Sequence, residues 1–176
     1  EWFLPPSKSH MIRWIALSSQ CSTSTRLIFQ GVPGQDIISM ADCVEEMGVS
    51  IQRESGHWII HGGRGLIPPK SKLDCGNSAT AAKILSFLVA CLDSPIVIDG
   101  DSSLRRRDFS QMTKSLADLG CMVSSDRLPL EIIGPISGGW TRIDESTSSQ
   151  TLTAIILASA GLKKQIGVSL YGDAVS

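Results

Sequence analysis

The sequence predicts an α/β (α+β) fold built from repeated strand–helix–strand–helix–strand–strand units, βαβαββ, packed around buried helices. Two observations carry this. The first is an internal repeat. Residues 31–62 and 100–134 align at one constant offset, pairing Asp36 with Asp108, Met40 with Met112, Gly48 with Gly120 and Gly62 with Gly134. Self-similarity of this kind marks a supersecondary unit that is duplicated and stacked. The second is that two kinds of helix alternate. Residues 84–92 are apolar nearly all round, which suits an interior helix. Ile37, Met40, Ala41, Val44 and Met47 instead form one stripe, which suits a helix with one wet face.

In chain order, Ser7-Lys8-Ser9 follows two prolines and opens the apolar helix that contains Ile12 to Leu17. A strand follows at 26–29. Asp36 then leads the amphipathic helix, Gly48 closes it as a C′ glycine, and two strands follow at 49–52 and 58–61. The second unit repeats this. Gly76-Asn77-Ser78 opens a helix at 79–92, and a strand follows at 96–99. Phe109, Met112, Leu116 and Leu119 stripe the next helix, Gly120 ends it, and strands follow at 122–124 and 130–133. A third unit begins at Ser146-Thr147-Ser148-Ser149-Gln150, with a helix at 151–160 and a strand at 167–171. The units are about 1–66, 67–137 and 138–176, the last truncated. The first residue is Glu1 and the chain stops just after a strand, so it reads as a fragment.

Packed around their apolar helices, such units can gather three polar helix starts, near Lys8, Asn77 and Ser148, at one end. Helix starts carry unpaired N–H groups and partial positive charge, so this end reads as an anion site. Lys8 and Arg13 add full charges. Each residue also has a plainer reading. Ser7, Asn77, Ser148 and Ser149 suit N-caps, Lys8 suits a solvated side chain, and Arg13 is either a carboxylate clamp or a snorkelling surface residue. Arg107 ends the basic run Arg105-Arg106-Arg107, of which the first two read as a wet loop. His10, His57 and His61 read as structural, and Trp14 and Trp58 as packing residues.

Sixteen Lys and Arg face seventeen Asp and Glu, so no global field favours nucleic acid or an anionic membrane. The longest apolar run is too short to span a bilayer, and no signal peptide is visible. Cys21, Cys43, Cys75, Cys91 and Cys121 form no CxxC pair and the histidines are scattered, which argues against a zinc site or a disulfide framework. The thiols read as reduced and buried, in a cytoplasmic setting.

Five stretches in order resemble one family. "PPSKSHMIR" (5–13) is similar to P-G-S-K-S-x-S-x-R, and "GNSAT" (76–80) to G-N-S/A-G-T. "GDSSLRRRDF" (100–109) is similar to G-D/E-x-x-x-x-x-R-P, "STSSQTLTA" (146–154) to S-x-S-S-Q-x-L-T-A, and "GDAVS" (172–176) to the start of G-D-x-x-S-x-x-Y. Together they resemble the EPSP synthases of the enolpyruvyl transferase superfamily, over essentially the whole chain. The resemblance implies the upper, N-terminal domain of a two-domain enzyme, with two units complete and the third truncated. The implied reaction moves the enolpyruvyl group of phosphoenolpyruvate to the 5-hydroxyl of shikimate 3-phosphate and releases phosphate. No metal or organic cofactor is implied, and the full-length enzyme would be a monomer.

By motif position, Lys8, Ser9, Arg13, Ser148, Ser149, Gln150 and Ser176 would bind shikimate 3-phosphate. Lys8, Asn77, Ala79, Arg107 and Gln150 would line the phosphoenolpyruvate side. The acid–base residues would lie on the missing C-terminal domain, so none is assigned here. Three departures bear on this. Ala79 replaces a glycine and puts tight binding of the family's inhibitor glyphosate in doubt. Asp108 replaces a proline and is placed to pair with Arg107. Lys83 replaces an arginine and loses the bidentate fork. The related UDP-N-acetylglucosamine enolpyruvyl transferases carry Lys-Asn where this chain has Lys8-Ser9, and a cysteine shortly before the arginine; no cysteine lies between Cys91 and Cys121. A non-catalytic anion-binding module is the remaining alternative, and a downstream second domain would decide against it.

Overall fold

The first helix, α1 (Lys8–Ser19), begins behind Ser7, whose carbonyl accepts from Met11 N at 2.9 Å. The computed structural model that shows this describes residues 5–63, 65–144 and 149–172. Strand β1 (Ser24–Ile28) follows, then helix α2 (Gln35–Glu46) and the hairpin of β2 (Ser50–Glu54) and β3 (His57–His61). The second unit contains β4 (Leu73–Asp74), α3 (Ala79–Val89), β5 (Pro95–Asp99), a 3-10 turn at Leu104–Arg106, α4 (Ser110–Asp118), β6 (Met122–Val123) and β7 (Leu130–Ile133). The third contains β8 (Gly139–Asp144), α5 (Gln150–Ser159) and β9 (Ile166–Tyr171).

The sheets repeat as the sequence does. β1–β3–β2 is antiparallel, with Leu27 opposite Trp58. β5–β7–β6 has the same order and sense, with Ile98 opposite Leu130. In the second unit β4 adds to the outer edge of β5 in parallel, and β8 pairs with β9 in the same way. Among the described residues no strand adds to the outer edge of β1. Gly48 and Gly120 follow α2 and α4 at φ +88° and +93°, a left-handed conformation that glycine adopts without cost to a Cβ.

The core lies where α1, α3 and α5 pack on one another, with α2 against α1 and α3. α3 is buried on every side, from Ala81 and Ile84 through Phe87 to Val89. α1 and α5 are not. Trp14 is 54% exposed, so it is no core residue, and Ile156 also faces outward. α3 is shorter at its C-terminal end than its apolar run suggests. Its cap is Ala90, whose carbonyl accepts from Ile136 N at 2.7 Å, so tertiary bonding takes over before Leu92. Trp58 is buried edge-on against Phe29, 5.8 Å between ring centres, as a packing residue should be. His57 faces Glu54 at 3.4 Å and His61 faces Ser24 at 3.0 Å, both within the first sheet. Cys43, Cys75 and Cys121 are buried, but Cys21 is exposed at the end of α1, where its thiol donates to the Leu17 carbonyl.

Candidate functional site

Lys8, Ala79 and Gln150 are the first residues of α1, α3 and α5, and all three line one polar cavity of about 420 Å³. The repeat thus delivers three equivalent helix starts to one place. Asp36, in the first turn of α2, and Thr80, Asn77 and Arg107 complete the lining. A larger apolar groove of about 600 Å³ runs beside Trp14, Ile28 and Phe29. The smaller cavity is the better candidate, because charged and hydrogen-bonding groups converge there from several elements.

Two contacts organise the cavity. Lys8 Nζ lies 3.0 Å from Asp36 Oδ2, with the lysine 62% exposed. Arg107 Nη2 donates to Asn77 Oδ1 at 2.9 Å. Asn77 is not the cap of α3. That role falls to Ser78, whose Oγ accepts from Ala81 N at 3.3 Å and leaves the Asn77 side chain to the cavity. The turn before it needs Gly76, at φ +56°, because a Cβ there would stand 2.9 Å from Ser39 Oγ. The Asp74 carboxylate accepts from Gly76 N at 2.9 Å and holds that turn from the other side.

Asp108 does not pair with Arg107. Its carboxylate accepts from Ser110 N at 3.0 Å and Ser110 Oγ at 2.7 Å, so it caps the approach to α4 instead. These bonds hold its carboxyl below the usual carboxylate range. Lys83, one turn into α3, lies outside the polar cavity and beside Asp108 and Thr151. Burial lowers its pKa and nearby Arg107 lowers it further.

Of the residues expected on the phosphoenolpyruvate side, the structure brings Lys8, Asn77, Ala79, Arg107 and Gln150 into one cavity. It does not bring Ser9, Arg13 or Ser149 into that lining. Arg13 turns back along α1, where Nη1 donates to the Ser9 carbonyl at 2.8 Å and to the Ser9 hydroxyl. Ser149 stands before α5 and its side chain makes no cap hydrogen bond, while its carbonyl accepts from Thr153 N at 3.0 Å. Ser148 and Ser176 lie outside the described residues. Among the described residues no three His, Cys, Asp or Glu side chains are grouped to hold a metal.

Sequence reasoning missed Asp36 and Thr80 as lining residues and misjudged Arg105. The repeat had marked Asp36 only as the leader of a helix. Arg105 is not merely a wet loop residue, since its guanidinium donates to both oxygens of buried Asp99 at 2.8 and 2.7 Å.

Comparison with known proteins bears on this arrangement. The family model for EPSP synthase (3-phosphoshikimate 1-carboxyvinyltransferase) matches residues 3–176. The chain belongs to the EPSP synthase family. A 3-phosphoshikimate 1-carboxyvinyltransferase of Halobacterium salinarum is 32% identical over 161 residues, 89% of this chain and 37% of that protein. One of Methanosarcina acetivorans is 30% identical over 177 residues, 98% of this chain and 41% of that protein. The EPSP synthase of Acinetobacter baumannii superposes with a TM-score of 0.84 at 26% identity, covering 99% of this chain and 41% of that one. The enolpyruvyl transferase NikO from Streptomyces tendae shares the fold, with a TM-score of 0.64 at 19% identity, covering 95% of this chain and 39% of that one. The chain therefore spans about two fifths of the length of the curated relatives it matches.

Proposed function

We propose that the protein carrying this chain transfers the enolpyruvyl group of phosphoenolpyruvate to the 5-hydroxyl of shikimate 3-phosphate, releasing phosphate, and that this chain supplies the substrate-binding half. The observation that carries the reading is the polar cavity. Three helix starts meet there with Lys8, Arg107, Asn77 and Gln150, in a chain of the EPSP synthase family.

Both substrates are polyanions. Helix N-termini favour them by partial positive charge and unpaired N–H groups. Arg107 spends one N–H on Asn77, and a guanidinium carries five, so its fork retains donors for a phosphate. That same bond aims the Asn77 amide, with its NH2 left for a ligand. Lys8 is an exposed ammonium on a flexible stem, held by Asp36 and able to bridge oxygens of either substrate. The Ala79 methyl narrows the cavity wall between them. Ser149, its hydroxyl unspent on capping, suits the phosphate of shikimate 3-phosphate together with Ser148 and Ser176, while Ser9 and Arg13 suit the rest of that substrate, Arg13 as a clamp on its carboxylate. Protonation of the methylene carbon and removal of the hydroxyl proton need an acid and a base. In this reading they come from a second domain that closes over the cavity and excludes water. Five unpaired thiols, three of them buried, support a reducing, cytoplasmic setting.

The test is steady-state phosphate release by the full-length protein with both substrates, with UDP-N-acetylglucosamine as the competing acceptor. Calorimetry then compares ligands. Ser148→Ala with Ser149→Ala should weaken shikimate 3-phosphate by roughly 1.5–3 kcal/mol for each hydrogen bond lost to charge, and leave unphosphorylated shikimate nearly unchanged. Equal losses for both ligands would reduce the serines to helix caps. No release with shikimate 3-phosphate would leave an anion-binding module.

A further inference from the structure

We propose that buried Asp99, through its fork on Arg105 and its bond to Lys72, is the positioning residue that sets Arg107 and Asn77 at the phosphate end of the cavity; the inference rests on the function proposed above. Asp99 ends β5 with its side chain only 3% exposed. Its carboxylate is fully engaged. Oδ1 accepts from Gly100 N at 2.8 Å and Arg105 Nε at 2.8 Å, while Oδ2 accepts from Arg105 Nη2 at 2.7 Å and Lys72 Nζ at 2.6 Å. Lys72 adjoins β4 and Arg105 lies in the turn before Arg107, so one carboxylate ties together the two segments that carry Asn77 and Arg107.

The backbone makes the same connection. The Asp99 carbonyl accepts from Cys75 N at 2.9 Å, and the Gly76 carbonyl accepts from Asp101 N at 2.8 Å. Asp101 Oδ1 then accepts from Ser103 N at 2.9 Å and Leu104 N at 2.7 Å, and Arg107 N donates to the Leu104 carbonyl at 3.1 Å. The two segments touch so closely that a Cβ on Gly100 would stand 2.7 Å from the Gly76 carbonyl oxygen. The Asn77–Arg107 bond closes the loop at the cavity. Arg105 is 46% exposed, so solvent screens part of its attraction to Asp99. A bidentate fork does fix orientation, and it does so two residues from Arg107. Asp99 and Arg105 thus act on the ligand through Arg107, without touching it.

The experiment uses the full-length protein with Arg105→Gln, Arg105→Lys and Arg107→Ala, singly and with Arg105→Gln and Arg107→Ala combined. Arg105→Gln should raise the phosphoenolpyruvate KM on the order of tenfold, the scale of a lost charge-assisted bond, and leave the shikimate 3-phosphate KM unchanged. Arg105→Lys, which keeps the charge but not the fork, should fall between. The combined variant should be no worse than Arg107→Ala alone, because the effect of Arg105 runs through Arg107. Lys72 still faces Asp99 in these variants, so they keep a partner for the buried acid. A rise in both KM values together, additive losses in the combined variant, or a lowered melting temperature with an unchanged phosphoenolpyruvate KM would each overturn the proposal. A wild-type protein that releases no phosphate would overturn the functional reading first, and this inference with it.

Discussion

Leu27 of β1 faces Trp58, and Ile98 of β5 faces Leu130, so the first two units hold the same place in their sheets with the same kind of residue. One residue further along they part. Ile28 is 79% exposed, whereas Asp99 is buried and bonded to Arg105 and Lys72. The reason is the neighbour. β4 lies along β5 with Asp74 beside Asp99, while among the described residues no strand lies along β1. The helix starts differ likewise. Lys8 and Ala79 are equivalent first residues lining one cavity, one bringing charge and the other a methyl. The two units agree in the interior, where packing dictates the residue, and differ at the rim, where neighbouring loops meet.

The largest effect should come from copying the first unit into the second at this point. Asp99→Ile removes the shared acceptor and leaves two cations facing an apolar group. We expect a loss of about 2 kcal/mol in urea denaturation, less than for a fully buried pair because Arg105 and Lys72 are about half exposed. The pH dependence follows from the same contacts. The Arg105 fork, helped by Lys72, holds the Asp99 carboxyl well below the usual carboxylate range. Its folded pKa is thus lower than its unfolded one. The stabilisation is complete above about pH 4 and is lost as pH falls through the depressed folded value. The gap between wild type and Asp99→Ile should therefore narrow below about pH 4. A gap that stays constant there would mean that Asp99 acts through packing and not through charge.

What was legible in the sequence follows the same division. The interior helices, the glycines that end α2 and α4, and the strand pairs come from local rules: periodicity, capping and turn chemistry. Those rules act within a few residues, so the order of elements could be read directly. The rim depends on which loops meet. Asn77 suits a cap by composition, yet Ser78 beside it takes the bond. Arg105 reads as solvated until Asp99 is seen beneath it, six residues back at the end of a buried strand. Trp14 fits an apolar helix, yet the face it occupies has no covering element among the described residues and it remains half exposed. Asp36 reaches Lys8 only because α1 and α2 pack side by side.

A smaller effect should follow from Ala79→Gly, which makes the first residue of α3 still less like Lys8. Ala79 lines the cavity, so removing its methyl should relieve crowding of a ligand that fills it. In the full-length protein glyphosate should bind more tightly by about 1 kcal/mol, near the low end for overlap in a close-packed site because this cavity is open. An inhibition constant that does not fall would show that the methyl does not meet the inhibitor.

The smallest effects concern the paired aspartates. Asp36 and Asp108 match in the repeat, but α2 begins at Gln35 and α4 only at Ser110. Asp36 therefore sits inside its helix and turns to Lys8, whereas Asp108 precedes its helix and turns to Ser110. One ancestral position serves the cavity in one unit and the chain in the other. Asp36→Asn should lower kcat/KM of the full-length protein about threefold, the scale of an exposed ion pair, because Lys8 loses its tether. Asp108→Asn should leave kinetics alone, since asparagine keeps an acceptor for Ser110 N. Asp108→Ala should cost roughly 0.5–1 kcal/mol in thermal or urea unfolding, as lost caps do, again without a kinetic change. If Asp108→Ala impairs turnover as much as Asp36→Asn, the two aspartates share a role and the difference in helix start has no functional meaning.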